Sequence, residues 1–291
     1  MSKVAFVGLG AMGLPMATNL VRAGFSVCGC DRRPEALDAF AAAGGAVAPT
    51  PADAARGAGT LLLMVVNAAQ AEDVLFNADA LDALAPDAVV VLMATCLPGQ
   101  VAALAAKVMA TGRGFLDAPV SGGVVGAAAG SLSIMAAGRE DIFARARPLL
   151  EAMGGKLYNT GTTPGQGAMA KTINQLLCGV HLAAAAEALS LAEKAGVDAA
   201  VALEIVSGSA ASSWMLKDRG PRMLEDEPIV TSTVDIFVKD LGIVLAAGTE
   251  TRAALPLAAA AHQLFLAVSG QGMGEQDDSK VIEAYRRLRG A

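Results

Sequence analysis

A lysine and two amides stand out in an otherwise apolar stretch of the chain. Lys171, Asn174, Gln175 and Cys178 fall at i, i+3, i+4 and i+7, so a helix brings them to one face. Their neighbours Ala168, Met169, Ala170, Ile173, Leu176 and Leu177 are apolar. Polar groups in such surroundings are costly unless paired or used. Desolvation lowers a lysine pKa toward the range in which the amine takes and gives a proton. The same pattern also fits a solvent-facing polar stripe, and spacing alone leaves both readings open. A second candidate is Asp117-Ala-Pro-Val-Ser-Gly-Gly, directly after a strand pattern. Ser121 offers a hydroxyl, and Gly122 and Gly123 bare their backbone amides. Such a turn can hold a carboxylate through main-chain donors, or it can be an ordinary loop.

The third constellation begins at the N-terminus. Val4-Ala-Phe-Val-Gly-Leu-Gly-Ala-Met-Gly runs a buried strand into a glycine turn and then a helix. Gly8 permits the tight turn, Gly10 lets the backbone approach a pyrophosphate, and Gly13 lets helix and strand pack closely. Leu9, Ala11 and Met12 complete the loop. Asp31 closes the next apolar run, Ser26-Val-Cys-Gly-Cys-Asp, where a carboxylate accepts hydrogen bonds from the adenosine ribose hydroxyls. That carboxylate repels a ribose 2′-phosphate, whereas Arg32 and Arg33 immediately after it would attract one. The expectation is NAD, with NADP as the weaker alternative. A flavin reading lacks any second flavin-contact motif. A glycine turn that only packs, in a non-catalytic dinucleotide-binding protein, is the rival of another class.

These residues need elements to position them. From residue 3 to about 160, strand patterns at 3–8, 26–31, 60–66, 88–93, 114–117, 131–136 and 156–159 alternate with helical stretches at 11–23, 34–43, 98–110 and 140–152. That alternation predicts an α/β fold, a Rossmann-type doubly wound sheet with helices on both faces. After Tyr158-Asn-Thr-Gly-Thr-Thr-Pro-Gly the character changes. Residues 167–195 are alanine-rich with almost no breakers, enough for a helix roughly 40 Å long at about 1.5 Å per residue. Helical patterns at 198–209, 234–250, 255–268 and 277–288 follow, with no convincing strand. The expected organisation is a dinucleotide-binding domain over 1–163 and an all-α domain over 164–291, joined by the long interdomain helix.

Composition narrows the function classes. The 291 residues are 54% apolar but only 4% aromatic and 17% charged. So apolar a chain is expected to bury surface between subunits, as a homodimer or homotetramer. A net charge of -6 supplies no basic stripe for nucleic acid and no polybasic membrane patch. The uncharged stretches 88–106 and 118–138 are broken by proline, glycine and serine, so no membrane partner is expected. A strand beginning right after Ser2-Lys3 leaves no room for a signal peptide, which points to the cytoplasm. Cys28, Cys30, Cys96 and Cys178 show no metal-ligand spacing, the histidines number two, and no metal site is expected. His181 and His262 read as packing or capping residues. The lone Trp214 reads as core, and Lys239-Asp240 as a surface ion pair or a lysine reaching back to the cleft.

Taken in order, the Gly8–Met16 turn, Asp117-Ala-Pro-Val-Ser-Gly-Gly, Gly165-Gln-Gly-Ala-Met-Ala-Lys-Thr-Ile-Asn-Gln and Val238-Lys-Asp-Leu resemble the β-hydroxyacid dehydrogenases. That family includes 3-hydroxyisobutyrate dehydrogenase and tartronate semialdehyde reductase, and the resemblance covers essentially the whole chain. It implies that Lys171 is the catalytic acid/base and that Ser121, Gly122 and Gly123 hold the substrate carboxylate, assisted by the amide after Lys171. It implies substrate contacts from Asn174 or Gln175, and cofactor contacts from Val66, Asn67, Thr95 and Lys239. The segments Asn174–Leu189, Ser213-Trp-Met, Val234–Leu241 and Asp277-Asp-Ser-Lys-Val-Ile resemble the L-threonate dehydrogenase branch. The related imine reductases usually lack the lysine. The implied activity is oxidation of a small β-hydroxyacid by hydride transfer to the nicotinamide of NAD.

Overall fold

A computed structural model describes residues 3–288 of the chain. Two compact units make it up, one ending at Lys171 and the other beginning at Thr172.

In the first unit, nine strands among the described residues form one sheet: β1 (Val4–Val7), β2 (Val27–Cys30), β3 (Ala46–Val47), β4 (Thr60–Leu63), β5 (Val89–Leu92), β6 (Gly114–Asp117), β7 (Val120–Ser121), β8 (Ser133–Ala137) and β9 (Lys156–Gly161). Their order is β3-β2-β1-β4-β5-β6-β8-β7, with β9 paired to β8. Pairing is parallel from β3 through β6, and β8 runs antiparallel to β6. The central strands are near-continuous apolar runs, buried on both faces as a covered parallel sheet requires. Alternation along β1 shows why. Ala5 and Val7 enter the core formed with helices Pro51–Ala55 and Pro98–Met109. Val4 and Phe6 enter the opposite core, with helices Gly13–Arg22, Pro34–Ala42 and Glu140–Met153. β1 pairs with β2 on one side and β4 on the other, so the strand order reverses there. Doubly wound sheets bind their ligands at the carboxyl ends of the strands flanking such a switch point.

The second unit is helical: the remainder of the long helix Gln166–Ala195, then Ala199–Ser207, Trp214–Met223, Val234–Thr251, Pro256–Val268 and Ile282–Leu288. Leu182, Leu189, Leu241 and Val244 fill its core beside the rings of Phe237 and Phe265, stacked with centroids 5.0 Å apart. The long helix is apolar and long enough to cross a membrane, but half of its most apolar window is buried within the protein.

The strands and helices expected from patterning are present. Other features were not foreseen, among them the short helices Pro51–Ala55, Ala68–Glu72 and Gly123–Ala129. Strands β3 and β7 are two residues long, too short to show a period. Helix Trp214–Met223 carries Gly220 and Pro221, residues that read as breakers, yet a Cβ on Gly220 would come within 2.4 Å of Leu203, so glycine serves close helix packing there. Trp214, expected in the core, is 60% exposed at the start of that helix. The division between units also falls inside the long helix, eight residues beyond the expected boundary. The reason is local: the first turn is hydrogen-bonded to the end of β6, as described below, and so belongs with the sheet.

Candidate active site

The glycine turn has the shape its sequence demands. Gly8 sits at φ +96°, and a Cβ there would lie 2.4 Å from the Met64 carbonyl oxygen. A Cβ on Gly13 would lie 1.8 Å from the carbonyl oxygen of Gly8, so the helix can start this close to the strand only with glycine. Gly10 differs: the nearest atom to its virtual Cβ is an Arg33 guanidinium nitrogen at 3.8 Å. The turn is packed tightly from behind and open over Gly10, a cradle that fits a pyrophosphate approaching the backbone. Ala11 is exposed at the loop tip and Met12 is half-buried against the core.

Asp31 closes this cradle from the end of β2. Its Oδ2 accepts the Leu9 N–H at 2.7 Å, and its Oδ1 accepts the Arg33 N–H at 2.9 Å and Arg33 Nε at 3.1 Å. Arg33 also donates from Nη2 to the Leu9 carbonyl at 3.1 Å. Burial pushes the Asp31 carboxyl up, but the hydrogen bonds from Arg33 and Leu9 outweigh it and hold the group below its ordinary value. The arginine beside the turn is therefore Arg33. Arg32, expected at the cofactor, has an 86% exposed side chain and lies 3.4 Å from Asp73. No sequence signal separated the two arginines, because which one folds back depends on the chain's path out of β2.

The remaining expected cofactor residues follow β4 and β5. Val66 is exposed and its N–H donates to Gln70 Oε1, while Asn67 Oδ1 accepts the Gln70 N–H and caps helix Ala68–Glu72. Thr95 lies half-buried just past β5.

Past β6, Ser121 ends β7 and is half-buried. Gly122 and Gly123 take φ +131° and +61°, left-handed values that side chains resist. Gly123 is exposed, and a Cβ there would meet no atom within 4 Å. Behind this loop Asp117 is fully buried at the end of β6. Its Oδ2 accepts the N–H groups of Gly165 at 2.9 Å and Ala168 at 2.8 Å, at the start of the long helix. Burial raises the Asp117 carboxyl to about 6, against the pull of those amides and that of Gly167. Lys171 follows on the same helix and is only 6% exposed. The solvent-facing stripe is excluded for this lysine.

In the helical unit, Gln175 is buried and donates from Nε2 to Asp240 Oδ2 at 2.6 Å. Asn174 is half-buried and donates from Nδ2 to Gln175 Oε1 at 2.9 Å and to Cys178 Sγ at 3.3 Å. Lys239 Nζ lies 3.0 Å from Asp240 Oδ1, and Asp240 is buried. The pair is thus anchored on its acidic side, with Lys239 itself half-buried. His262 hydrogen-bonds the Val238 carbonyl at 3.0 Å, in keeping with a packing role.

Sheet order, glycine turn and the acid after β2 are those of the dinucleotide-binding doubly wound proteins. A family model described as the NAD binding domain of 6-phosphogluconate dehydrogenase matches residues 3–161, and one described as the NAD-binding of NADP-dependent 3-hydroxyisobutyrate dehydrogenase matches residues 165–285. The chain is 44% identical over 283 residues to an L-threonate dehydrogenase of Cupriavidus necator, covering 97% of this chain and 95% of that protein. It is 34% identical to an NAD-dependent L-serine dehydrogenase of Pseudomonas aeruginosa, with both covered in full. The crystal structure of a 3-hydroxyisobutyrate dehydrogenase from Salmonella typhimurium superposes with a TM-score of 0.92 at 40% identity, covering 97% of this chain and 99% of that one. The protein belongs to the β-hydroxyacid dehydrogenase family and is an NAD-dependent enzyme acting on a hydroxyl group.

Proposed function

We propose that this protein is a soluble, cytoplasmic enzyme that oxidises L-threonate, with Lys171 as general acid/base. One observation carries the catalytic reading: a single compact unit holds the open glycine cradle, the Ser121-Gly122-Gly123 turn and a lysine buried to 6% exposure. The likeness to L-threonate dehydrogenases at 39–44% identity supports the substrate.

In this reading Gly8, Leu9, Gly10, Ala11, Met12 and Gly13 hold the NAD pyrophosphate. Asp31 accepts from the ribose hydroxyls, and Val66, Asn67 and Thr95 complete the site within the same unit. NAD, when bound, supplies the hydride acceptor. The Ser121 hydroxyl and the Gly122 and Gly123 amides hold the substrate carboxylate, which orients the hydroxyl-bearing carbon. Lys171 takes the hydroxyl proton at Nζ and returns it in the reverse direction. Asn174 is the better substrate contact of the two amides, because the Gln175 side chain is buried and committed to Asp240 and Asn174. Asn174 Nδ2 is already engaged, so its carbonyl oxygen is the group offered to a substrate hydroxyl. The same reading has the enzyme working as a homodimer or homotetramer, supported by Leu191, Ile205 and Leu257, each more than 60% exposed on the helical unit.

The test is NADH formation, followed by absorbance, with L-threonate, 3-hydroxyisobutyrate and L-serine, in wild type and Lys171→Ala. The expected result is turnover highest with L-threonate and lowered by at least about 100-fold in the variant, the scale of a lost acid/base group, with NAD affinity retained. Wild-type turnover in the variant would remove Lys171 from the chemistry. Preference for another hydroxyacid would replace the substrate and keep the mechanism.

A further inference from the structure

We propose that Asp117 is a positioning residue, whose carboxylate fixes the first turn of the Gln166–Ala195 helix and thereby Lys171. The inference rests on Lys171 being the general acid/base.

Helix N-termini leave backbone N–H groups without partners, and these are ordinarily satisfied by a serine, threonine, aspartate or asparagine just before the helix. Here the acceptor comes from another strand: Asp117 Oδ2 receives the amides of Gly165 and Ala168, 48 and 51 residues further along the chain. A local cap would satisfy the same donors while leaving the helix free to shift against the sheet. A cap carried by β6 ties the two together. It does so at a cost a local, solvated cap avoids, because the carboxylate is fully buried, its Oδ1 accepts no hydrogen bond among the described residues, and burial raises its pKa. Capping alone does not explain a buried carboxylate recruited from so far away; location does.

The packing around the contact is as close as backbone allows. A Cβ on Gly167 would lie 2.5 Å from the Met135 carbonyl oxygen and 3.0 Å from Asp117 Oδ2. Gly165 sits at φ +101°, with its virtual Cβ 3.0 Å from the Pro98 carbonyl oxygen. Lys171 is four residues after Gly167 and three after Ala168, on the same helix face and one turn on. Any slip of that first turn is therefore passed to the lysine. On the other side, three residues of chain separate Asp117 from Ser121, and they are pinned: Ala118 N–H donates to the Leu92 carbonyl at 2.8 Å, and Met135 N–H to the Pro119 carbonyl at 2.9 Å. One side chain thus links the carboxylate-binding turn to the helix bearing the base.

The test is a double-mutant cycle on the full-length enzyme, with Asp117→Ala, Lys171→Ala and the double variant. It uses L-threonate, or the panel hydroxyacid that turns over, and NAD affinity read by fluorescence. Asp117→Ala is expected to lower kcat about 100-fold, the loss that accompanies a misplacement of about 1 Å, while NAD affinity changes less than about twofold. In the Lys171→Ala background the same substitution is expected to change the residual rate less than about twofold, because the group it positions is gone. Asp117→Asn, which retains an acceptor oxygen, is expected to restore most of kcat. An equal loss in both backgrounds, or an undiminished kcat in Asp117→Ala, overturns the proposal. Should the alanine variant fail to fold, Asp117→Glu decides, since it keeps the charge and moves it by one methylene: lowered kcat at unchanged NAD affinity supports the proposal and wild-type kcat overturns it. Lys171→Ala with full turnover would instead remove the base assignment, and this inference with it.

Discussion

Replacing Gly13 and Gly10 by alanine, one at a time, separates the two tasks of the glycine turn. At Gly13 the new Cβ would lie 1.8 Å from the Gly8 carbonyl oxygen, 3.0 Å from the Gly8 carbonyl carbon and 3.1 Å from the Phe6 ring. The Gly8 carbonyl cannot simply retreat, because the N–H of the same peptide, that of Leu9, is bonded to Asp31 Oδ2 at 2.7 Å, and the Gly8 N–H is bonded to the Cys30 carbonyl at 3.0 Å. Overpacking of this kind costs about 1–3 kcal/mol, offset by up to about 1 kcal/mol of helix propensity gained over glycine. Because Gly13 is the first residue of its helix that gain is small, and a net loss of about 1–3 kcal/mol corresponds to a fall in Tm of roughly 2–12 °C for a unit of this size. NAD binding should weaken together with it, since the displaced atoms form the cradle. At Gly10 the Cβ meets only Arg33 at 3.8 Å and the backbone is not left-handed, so Tm should move by less than about 2 °C. The added methyl nevertheless stands where a pyrophosphate would approach, so NAD affinity should drop about tenfold or more, about 1.4 kcal/mol. Differential scanning calorimetry and an NAD titration read both quantities. An unaltered Tm for Gly13→Ala would refute the steric argument. Wild-type NAD affinity in Gly10→Ala would refute the approach over that residue.

Asp31→Asn removes the charge that gathers Leu9 and Arg33, and should lower kcat/KM for NAD by roughly 10–100-fold, the range for losing hydrogen bonds to a charged group. The same change should raise kcat/KM for NADP, and an unchanged NAD to NADP ratio would show that Asp31 does not select the cofactor. In the helical unit, Arg219 Nε donates to Asp278 Oδ1 at 2.7 Å and both residues are buried, with Asp218 also on the guanidinium. Arg219→Ala should cost about 3–5 kcal/mol by stranding a buried carboxylate. Burial already holds Asp278 at about 6 despite Arg219, so its fit to the fold is complete below the unfolded value of 3.8 and declines as pH rises through 6. Loss of Arg219 raises that carboxyl further, so the stability gap between wild type and variant should widen from pH 5 to pH 8. Denaturant melts at the two pH values measure it, and a gap that narrows would contradict the assignment.

Much of the candidate site's local geometry was legible because it depends on residue type at short range. A strand ending in Gly8, Gly10 and Gly13 has few other uses, since each glycine answers a contact that any Cβ would block or an approach it would obstruct. Lys171 was legible as a lysine on an apolar helix, although its burial was open until the fold excluded a solvated stripe. Other features were hidden because they join distant segments. Nothing near Gly165 announces that its cap lies in β6, and nothing in Val-Lys-Asp-Leu announces that Asp240 is buried against Gln175. Trp214 shows the opposite error, in which residue type suggested the core and the helix start left it exposed.

The doubly wound sheet, the helical second half and the glycine turn could be read from the chain alone, because periodicity and glycine stereochemistry act between residues a few positions apart. Only the meeting of distant segments settled which arginine braces Asp31, which amide of the Asn174-Gln175 pair is committed to Asp240, and that Asp117 accepts the first amides of the helix of Lys171. Each of those outcomes depends on two segments meeting in three dimensions, where burial sets the cost of a charge and geometry selects its partner.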